Sequence, residues 1–221
     1  MSLVAGVDLG GVRMHVVVLD DATQIVATRM WATSEIAAAA KSLASCDVIA
    51  IDSPDRWSTG LLPAHADLSL KFVGARCAEF ELARKHRIWV PWVTPAEPTP
   101  EVIASGRFEW MRRGMELFDA LAGCGQAIEV YPHAIYRWLA RPNPIPPKNK
   151  IEGVQRRIQL LRQRDITERD LEMWSHDGLD ALAAAVVALD RHRGKALEVT
   201  CGHDGSAMWL PDAVESGPDL G

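Results

Sequence analysis

Two short apolar stretches, Leu3-Val-Ala-Gly-Val-Asp-Leu9 and Val48-Ile-Ala-Ile-Asp52, decide the fold of this chain. Each is almost continuously apolar and too short for a typical helix, which indicates a strand that is buried on both faces. Gly10 and Gly11 turn the chain after the first stretch, and Pro54 stops the second. A central sheet with helices packed on both sides is therefore predicted.

The elements around these two strands complete an α/β pattern. Three more strands are predicted at 14–19, 25–31 and 127–131, which gives a five-stranded mixed sheet. Helices are predicted at 33–44, 74–87, 101–121, after the Pro-rich loop at 141–147, and at 177–193. We expect a single domain over residues 1–221, with helical insertions at about 60–125 and 141–175.

Composition indicates an ordinary folded protein. Of the 221 residues, 48% are hydrophobic and 24% are charged, which allows a sizeable core and argues against disorder. The apolar run at 181–189 is about half the length that a membrane span needs, and residues 1–11 lack the basic region and cleavage site of a signal peptide. We therefore expect a cytoplasmic protein without a membrane partner.

The four cysteines, Cys46, Cys77, Cys124 and Cys201, are far apart in the sequence. They form no C-x-x-C pair, and no histidine lies at metal-ligand spacing from any of them. The sequence therefore predicts neither a structural zinc site nor a disulfide framework, and no disulfide-linked partner.

Charge is distributed unevenly along the chain. The net charge is −5, yet the segment 137–164 contains eight lysines and arginines against one acid, Glu152, and so carries +7. Two interpretations remain open for this segment. It is a surface that follows the phosphates of a nucleic acid, or it is a solvated helix face.

Three of the predicted strands each contain one acidic residue: Asp8, Asp52 and Glu129. An ionised carboxylate in a buried strand costs several kcal/mol unless it is paired, hydrogen-bonded or bound to a metal. Local turn formation is the alternative for Asp8 and Asp52, which precede Gly10-Gly11 and Ser53-Pro54. Glu129 has no such local explanation.

Two further acids open the last predicted helix. Asp177 and Asp180 are three residues apart and so share one helix face. The alternative is that Asp177 caps the helix and Asp180 interacts with its dipole. If the strands adjoin, all five acids converge at one end of the sheet, and such oxygen-rich sites bind hard divalent cations, Mg²⁺ or Mn²⁺ above all.

Six sequence elements in this order resemble the family catalogued as domain of unknown function 429 (DUF429), which consists of predicted nucleases with a ribonuclease-H-like fold. The elements are GVDLGG at 6–11, AIDSP at 50–54, GARCAEFELARK at 74–85, IEVYP at 128–132, K-x-x-G-x-x-x-R at 150–157 and HDGLDALAAA at 176–185. The match spans nearly the whole chain.

The resemblance implies a metal-dependent nuclease or phosphodiesterase that hydrolyses DNA or RNA with two Mg²⁺ or Mn²⁺ ions. Asp8 would bridge the ions, Asp52 or Glu129 would be the second ligand, and Asp177 with Asp180 would complete the site. Four basic residues are candidates to contact substrate phosphate: Arg76, Lys85, Lys150 and Arg157.

Two other functions remain open. GVDLGG followed by a strand also resembles the phosphate-binding hairpin of actin-like ATPases and sugar kinases, although no second such hairpin and no P-loop is present. A non-catalytic binding protein with the same fold is the other alternative. Against it, like charges at adjacent strand ends would destabilise a site that had lost its ion.

Overall fold

A seven-stranded sheet is the centre of the fold. The computed structural model describes residues 1–60, 62, 72–91 and 93–213. The strands are β1 (Leu3–Leu9), β2 (Arg13–Asp20), β3 (Ile25–Ala32), β4 (Val48–Asp52), β5 (Gln126–Glu129), β6 (Leu197–Val199) and β7 (Met208–Leu210).

The strands lie in the order β3-β2-β1-β4-β5-β7-β6. β1 pairs parallel with β4, β4 with β5, and β5 with β7, whereas β2 is antiparallel to both β1 and β3, and β6 is antiparallel to β7. The predicted α/β fold with a mixed sheet is confirmed. The predicted count of five strands is wrong, because β6 and β7 extend the sheet beyond β5.

Seven α-helices surround the sheet in the described part of the chain. They are α1 (Ile36–Leu43), α2 (Cys77–His86), α3 (Pro100–Ala104), α4 (Glu109–Ala120), α5 (Pro132–Leu139), α6 (Ile151–Arg162) and α7 (His176–His192). The single helix predicted at 101–121 is two helices, because the chain turns between α3 and α4 at Gly106, whose φ is +79°.

The sheet separates two apolar layers. On one face α7 packs against β1, β2 and β4, and α5 and α6 extend this layer. On the other face α1 and the end of α4 cover β1, β2 and β4. No helix among the described residues is both long and apolar enough to cross a membrane.

Gly6 allows α7 to lie directly on the middle of β1. A Cβ atom at Gly6 would lie 2.0 Å from the carbonyl oxygen of Ala181 and 2.2 Å from the backbone nitrogen of Ala185. Only glycine therefore permits this separation of helix and strand. The contact holds the first turns of α7 near the carboxyl end of β1, where Asp8 lies.

A disulfide joins Cys77 and Cys201, whose Cα atoms are 5.2 Å apart. The sequence predicts no disulfide framework, and this single disulfide within the chain departs from that expectation. The two cysteines are 124 residues apart in sequence, and only the packing of the segment after β6 against the start of α2 brings them together. Cys46 and Cys124 are free thiols.

The division into one domain with two helical insertions remains a prediction. Residues 61, 63–71 and 92 of the first insertion lie outside the described residues.

Candidate active site

Asp8 and Asp52 lie side by side at the carboxyl ends of β1 and β4, where they are directly paired in the parallel register. Alternate residues of a strand point to the same face, so Asp8 shares a face with Val4, and Asp52 with Val48. Both valines pack in the α7 layer. The two carboxyl groups thus meet on the α7 side and share a hydrogen bond.

The first turns of α7 add Asp180 and Asp177 to this pair. Asp180 is 6% exposed, and its Oδ2 lies 3.5 Å from Nζ of Lys148. Asp177 is half exposed, with Oδ2 3.8 Å from Nε2 of His15. Asp177 does not cap the helix, since the hydroxyl of Ser175 accepts the hydrogen bond from the Gly178 N–H, 3.1 Å away. The capping alternative for Asp177 is therefore wrong.

The buried aspartates of this group are shielded from water and repel one another. Burial raises the pKa of Asp8 to about 7, and the charges of Asp180 and Asp177 add to the rise. Burial and the neighbouring Asp8 raise the pKa of Asp52 well above its usual range. Burial also raises the pKa of Asp180, an effect that Lys148 opposes. The cluster therefore disfavours full ionisation unless another cation joins it.

Glu129 points to the opposite face of the sheet. It pairs in register with Ile51, which packs in the layer formed with α1 and α4, and it therefore shares that face rather than the face of Asp52. Both carboxylate oxygens of Glu129 accept hydrogen bonds from Arg76, at 2.6 and 2.7 Å. The backbone N–H of Asp55 donates a third, at 3.0 Å.

Arg76 is the centre of a buried ion-pair network on that face. Its guanidinium is 1% exposed and contacts Glu129, Glu79 and Asp55. Glu79 also accepts hydrogen bonds from the backbone and hydroxyl of Thr94. Burial raises the pKa of Glu129, and the Arg76 guanidinium opposes that rise. The network satisfies Arg76 and Glu129 within the protein.

A cavity of about 270 Å³ opens between the two groups of acids. Asp8, Asp52 and Asp177 border it on one side, and Arg76 and Glu129 on the other. A second cavity of about 570 Å³ adjoins it and is bordered by the same Asp52 together with Asp180, Lys148, Tyr131, His133 and Arg157. Asp52 therefore borders both cavities, whereas Asp8 and Asp177 border the first and Asp180 the second.

The predicted phosphate contacts occupy different places. Arg76 belongs to the buried network, and Arg157 is 3% exposed, with its guanidinium over the Tyr136 ring at 5.1 Å. Lys150 is exposed just before α6, and Lys85 is exposed in the last turn of α2. Within the basic segment 137–164, Lys148 pairs with Asp180 and Arg164 with Asp190, whereas Arg137 and Arg141 border a separate pocket. The charges of this segment are therefore divided among several sites.

Sequence reasoning missed Lys148 as a member of the acid cluster. Its signal was weak, because it was one of eight basic residues in a segment interpreted by total charge. The network of Arg76 with Glu79 was missed for a similar reason. Adjacent opposite charges on a helix are common at protein surfaces, and only the burial of this pair distinguishes it.

The donor chemistry at Asp8, Asp52 and Asp180 suits a hard divalent cation, because all the donors are carboxylate oxygens. In the described ranges, no three acidic, histidine or cysteine side chains are already gathered closely enough to hold an ion. Asp8 and Asp52 are in contact, whereas Asp180 is turned toward Lys148. For all three aspartates to coordinate an ion, Asp180 would have to release the Lys148 ammonium and bind the ion in its place.

Comparison with known proteins gives one family match. Two structures of RuvC from Thermus thermophilus are similar to this chain at low identity. One, in complex with a Holliday junction substrate, is 13% identical with a TM-score of 0.46, and the match covers 88% of this chain and 97% of that one. The other is 12% identical with a TM-score of 0.42, covering 87% and 96%. No curated protein matches. The model described as "Protein of unknown function (DUF429)" matches residues 6–204, and the chain therefore belongs to the DUF429 family.

Proposed function

We propose that this protein is a divalent-metal-dependent nuclease of the ribonuclease-H-like superfamily, which hydrolyses phosphodiester bonds of DNA or RNA. The observation that carries the proposal is the meeting of Asp8, Asp52 and Asp180 at one end of the sheet. These acids come from distant parts of the sequence, and burial together with like charge raises their pKa values. A cluster that disfavours its own charged form is typical of a functional site.

Asp8, Asp52 and Asp180 would hold the metal, Mg²⁺ or Mn²⁺, with Asp177 at the more exposed rim. In the two-metal mechanism implied by the DUF429 resemblance, the ions when bound supply an activated water and stabilise the leaving oxygen. The carboxylates need not transfer protons in this scheme. Their task is to fix positions and to balance the charge of the ions.

Lys148 has a separate task in this proposal. Its ammonium neutralises part of the acid cluster in the protein alone, at 3.5 Å from Asp180. Its side chain is 58% exposed and lies where both cavities meet, so it has room to move away from Asp180. We expect it to contact a substrate phosphate once a metal has taken its place, since phosphate is a strong acceptor for ammonium donors.

Glu129 has a positioning role in the same scheme. Its two oxygens are held by Arg76, so that binding a metal would break a buried, bidentate ion pair. Breaking such a pair costs about 3–5 kcal/mol, which favours Asp52 as the second ligand. The pair holds the end of β5 and the start of α2 together at the cavity wall.

The strand order of the central sheet also supports the proposal. β3-β2-β1-β4-β5, with β2 antiparallel to its neighbours, puts the ends of β1 and β4 next to each other. This is the arrangement that the DUF429 resemblance implies, with one acid on the first strand, one at the end of the fourth, and others on the final helix.

Cleavage of labelled nucleic acids tests the proposal. Single strands, duplexes and four-way junctions of DNA, and RNA of the same lengths, are incubated with the protein in Mg²⁺, in Mn²⁺ and in EDTA. We expect cleavage with either metal and none with EDTA or with Asp8→Asn. The matched control is Asp47→Asn, the same substitution at an exposed position at the opposite end of β4. Equal activity of Asp8→Asn and Asp47→Asn would refute the proposal.

A thermal-shift titration tests the metal site without catalysis. Mg²⁺, Mn²⁺ and Ca²⁺ should raise the melting temperature of the native protein and of Asp47→Asn. An ion that binds only the folded state stabilises it by about 2.7 kcal/mol at a hundredfold excess over Kd. Asp8→Asn should show little of this shift, and equal shifts in all three proteins would remove the metal site.

A further inference from the structure

A second, basic pocket lies apart from the acid cluster. It has a volume of about 460 Å³ and is bordered by the end of α2 and by the end of α5 with the residues that follow. Its basic members are Lys85, His86, Arg87, Arg137 and Arg141. No aspartate or glutamate is among the described residues that border it.

No carboxylate among the described residues neutralises the positive charges of this pocket. Lys85, Arg87, Arg137 and Arg141 are in none of the ion pairs that the described residues form. The nearest acid that acts on His86 is Glu81, and Glu81 is bound by Arg84 at 2.8 Å. This pocket is basic although the whole chain is acidic, so its charge is a local feature.

The pocket wall is ordered by stacking. The guanidinium of Arg141 lies 4.2 Å from the centre of the Trp138 ring, and its Nη2 donates a hydrogen bond to the carbonyl of His86. The His86 ring meets the Trp138 ring edge to face at 5.2 Å. The pKa of Arg141 is lowered by burial and by neighbouring Arg137, and that of His86 by burial, Arg141 and Lys85. The positive charges are thus held close together against their own repulsion.

Two helices connect this pocket to the candidate active site. α2 begins next to Arg76 and α5 begins next to Tyr131, and both of these residues border the cavity of the acid cluster. The same two helices end at the basic pocket. With a rise of 1.5 Å per residue, ten residues of α2 and eight of α5 span about 15 and 12 Å. The basic pocket is therefore about one helix length from the wall of the acid-cluster cavity.

From this arrangement we infer that the basic pocket binds a backbone phosphate of the nucleic-acid substrate, several nucleotides from the bond that is cut. The lengths of α2 and α5 alone, about 12–15 Å, exceed the axial spacing of about 3.4 Å per nucleotide in one strand of a duplex. The inference rests on the proposed function, and it adds a second point of contact that fixes the direction and register of the strand.

Equilibrium binding in EDTA tests the inference, because it requires neither metal nor cleavage. The probes are labelled single-stranded DNA and RNA of four and twelve nucleotides, measured by anisotropy over a salt series. The test variant is Lys85→Gln with Arg137→Gln. The control is Lys41→Gln with Arg169→Gln, which removes the same charge from two exposed positions elsewhere.

We expect the test variant to bind a twelve-nucleotide strand about tenfold more weakly, because two charge-assisted contacts are lost. The slope of log K against log salt should fall by about 1.4, as two fewer phosphates are neutralised. Binding of the four-nucleotide strand should weaken by a similar factor, because the acid cluster without a metal repels phosphate and the basic pocket is the contact that remains. The control variant should behave like the native protein.

Three results would overturn the inference. The first two are equal weakening of strand binding by both variants and no weakening by either. In the third, pyrophosphate raises the melting temperature of the native protein but not that of the test variant, while both bind the twelve-nucleotide strand equally. The last would identify a site for a free phosphorylated compound. Failure of the proposed function is distinguishable, since absence of cleavage in Mg²⁺ and Mn²⁺ leaves the binding comparison in EDTA unaffected.

Discussion

Neutralising Asp8 should stabilise the protein in the absence of metal while abolishing the proposed nuclease activity. Burial and the charges of Asp180 and Asp177 raise the pKa of Asp8 to about 7, from 3.8. The folded protein therefore binds this proton more tightly than the unfolded chain does. Stability is highest below the unfolded pKa and falls as the pH rises toward the folded pKa. Asp8→Asn removes that pH-dependent loss.

The size of the effect follows from the shift. At about 1.4 kcal/mol per pKa unit, a rise of roughly three units in the pKa of Asp8 lowers the free energy of unfolding by about 4 kcal/mol once the pH is well above the folded pKa. Somewhat more than half of this loss of stability, about 2–3 kcal/mol, occurs between pH 5 and pH 8. For a chain of this length that is a change in melting temperature of roughly 5–10 °C.

The assay is urea and thermal unfolding of the native protein, Asp8→Asn and Asp47→Asn at pH 5 and pH 8 in EDTA. The stability difference between Asp8→Asn and the native protein should become more favourable to the variant at pH 8. Asp47→Asn should show no such pH-dependent gain. If the difference between Asp8→Asn and the native protein is the same at both pH values, Asp8 is not held in a repulsive, desolvated site and the reasoning fails.

Three other changes test separate features. Gly6→Ala should destabilise the protein by about 3 kcal/mol or more, because its Cβ would overlap the α7 backbone, whereas Gly11→Ala has open space and should be nearly neutral in urea unfolding. Reduction should lower the free energy of unfolding by about 2–5 kcal/mol, because it breaks the Cys77–Cys201 bond that closes a long loop. Thermal unfolding of Cys77→Ser should not respond to the reductant. Lys148→Gln should tighten Mg²⁺ binding about two- to fivefold in calorimetry, because the ion no longer has to displace the partly exposed Lys148–Asp180 ion pair, worth about 0.2–1 kcal/mol. Weaker binding would contradict the idea that the ion replaces the Lys148 ammonium at Asp180.

Long apolar patterns made much of the fold predictable. Almost every residue of β1, β4 and α7 is buried, and their sequences are correspondingly apolar over their whole length. The structure therefore has these three elements close to their predicted positions. β6 and β7 were not predictable in the same way. Each has three residues, and their pairing depends on β5 already being in place.

The acid cluster was predictable in part for the same reason. Asp8 and Asp52 end apolar strands, and their meeting needs only that these strands be parallel neighbours. The side of the sheet that Glu129 faces depends on the register of β5 against β4, which a single sequence does not encode locally. The Cys77–Cys201 disulfide depends on packing across most of the chain, so spacing alone gave no sign of it.

The contact between Gly6 and α7 has a consequence for biosynthesis. Asp180 follows Asp8 by 172 residues, so it is synthesised well after Asp8. Because the helix that carries Asp180 must settle on β1 before the acids meet, a nascent or truncated chain has no assembled centre. Under the proposed function, a chain that ends before α7 would therefore be unable to cut the message being translated.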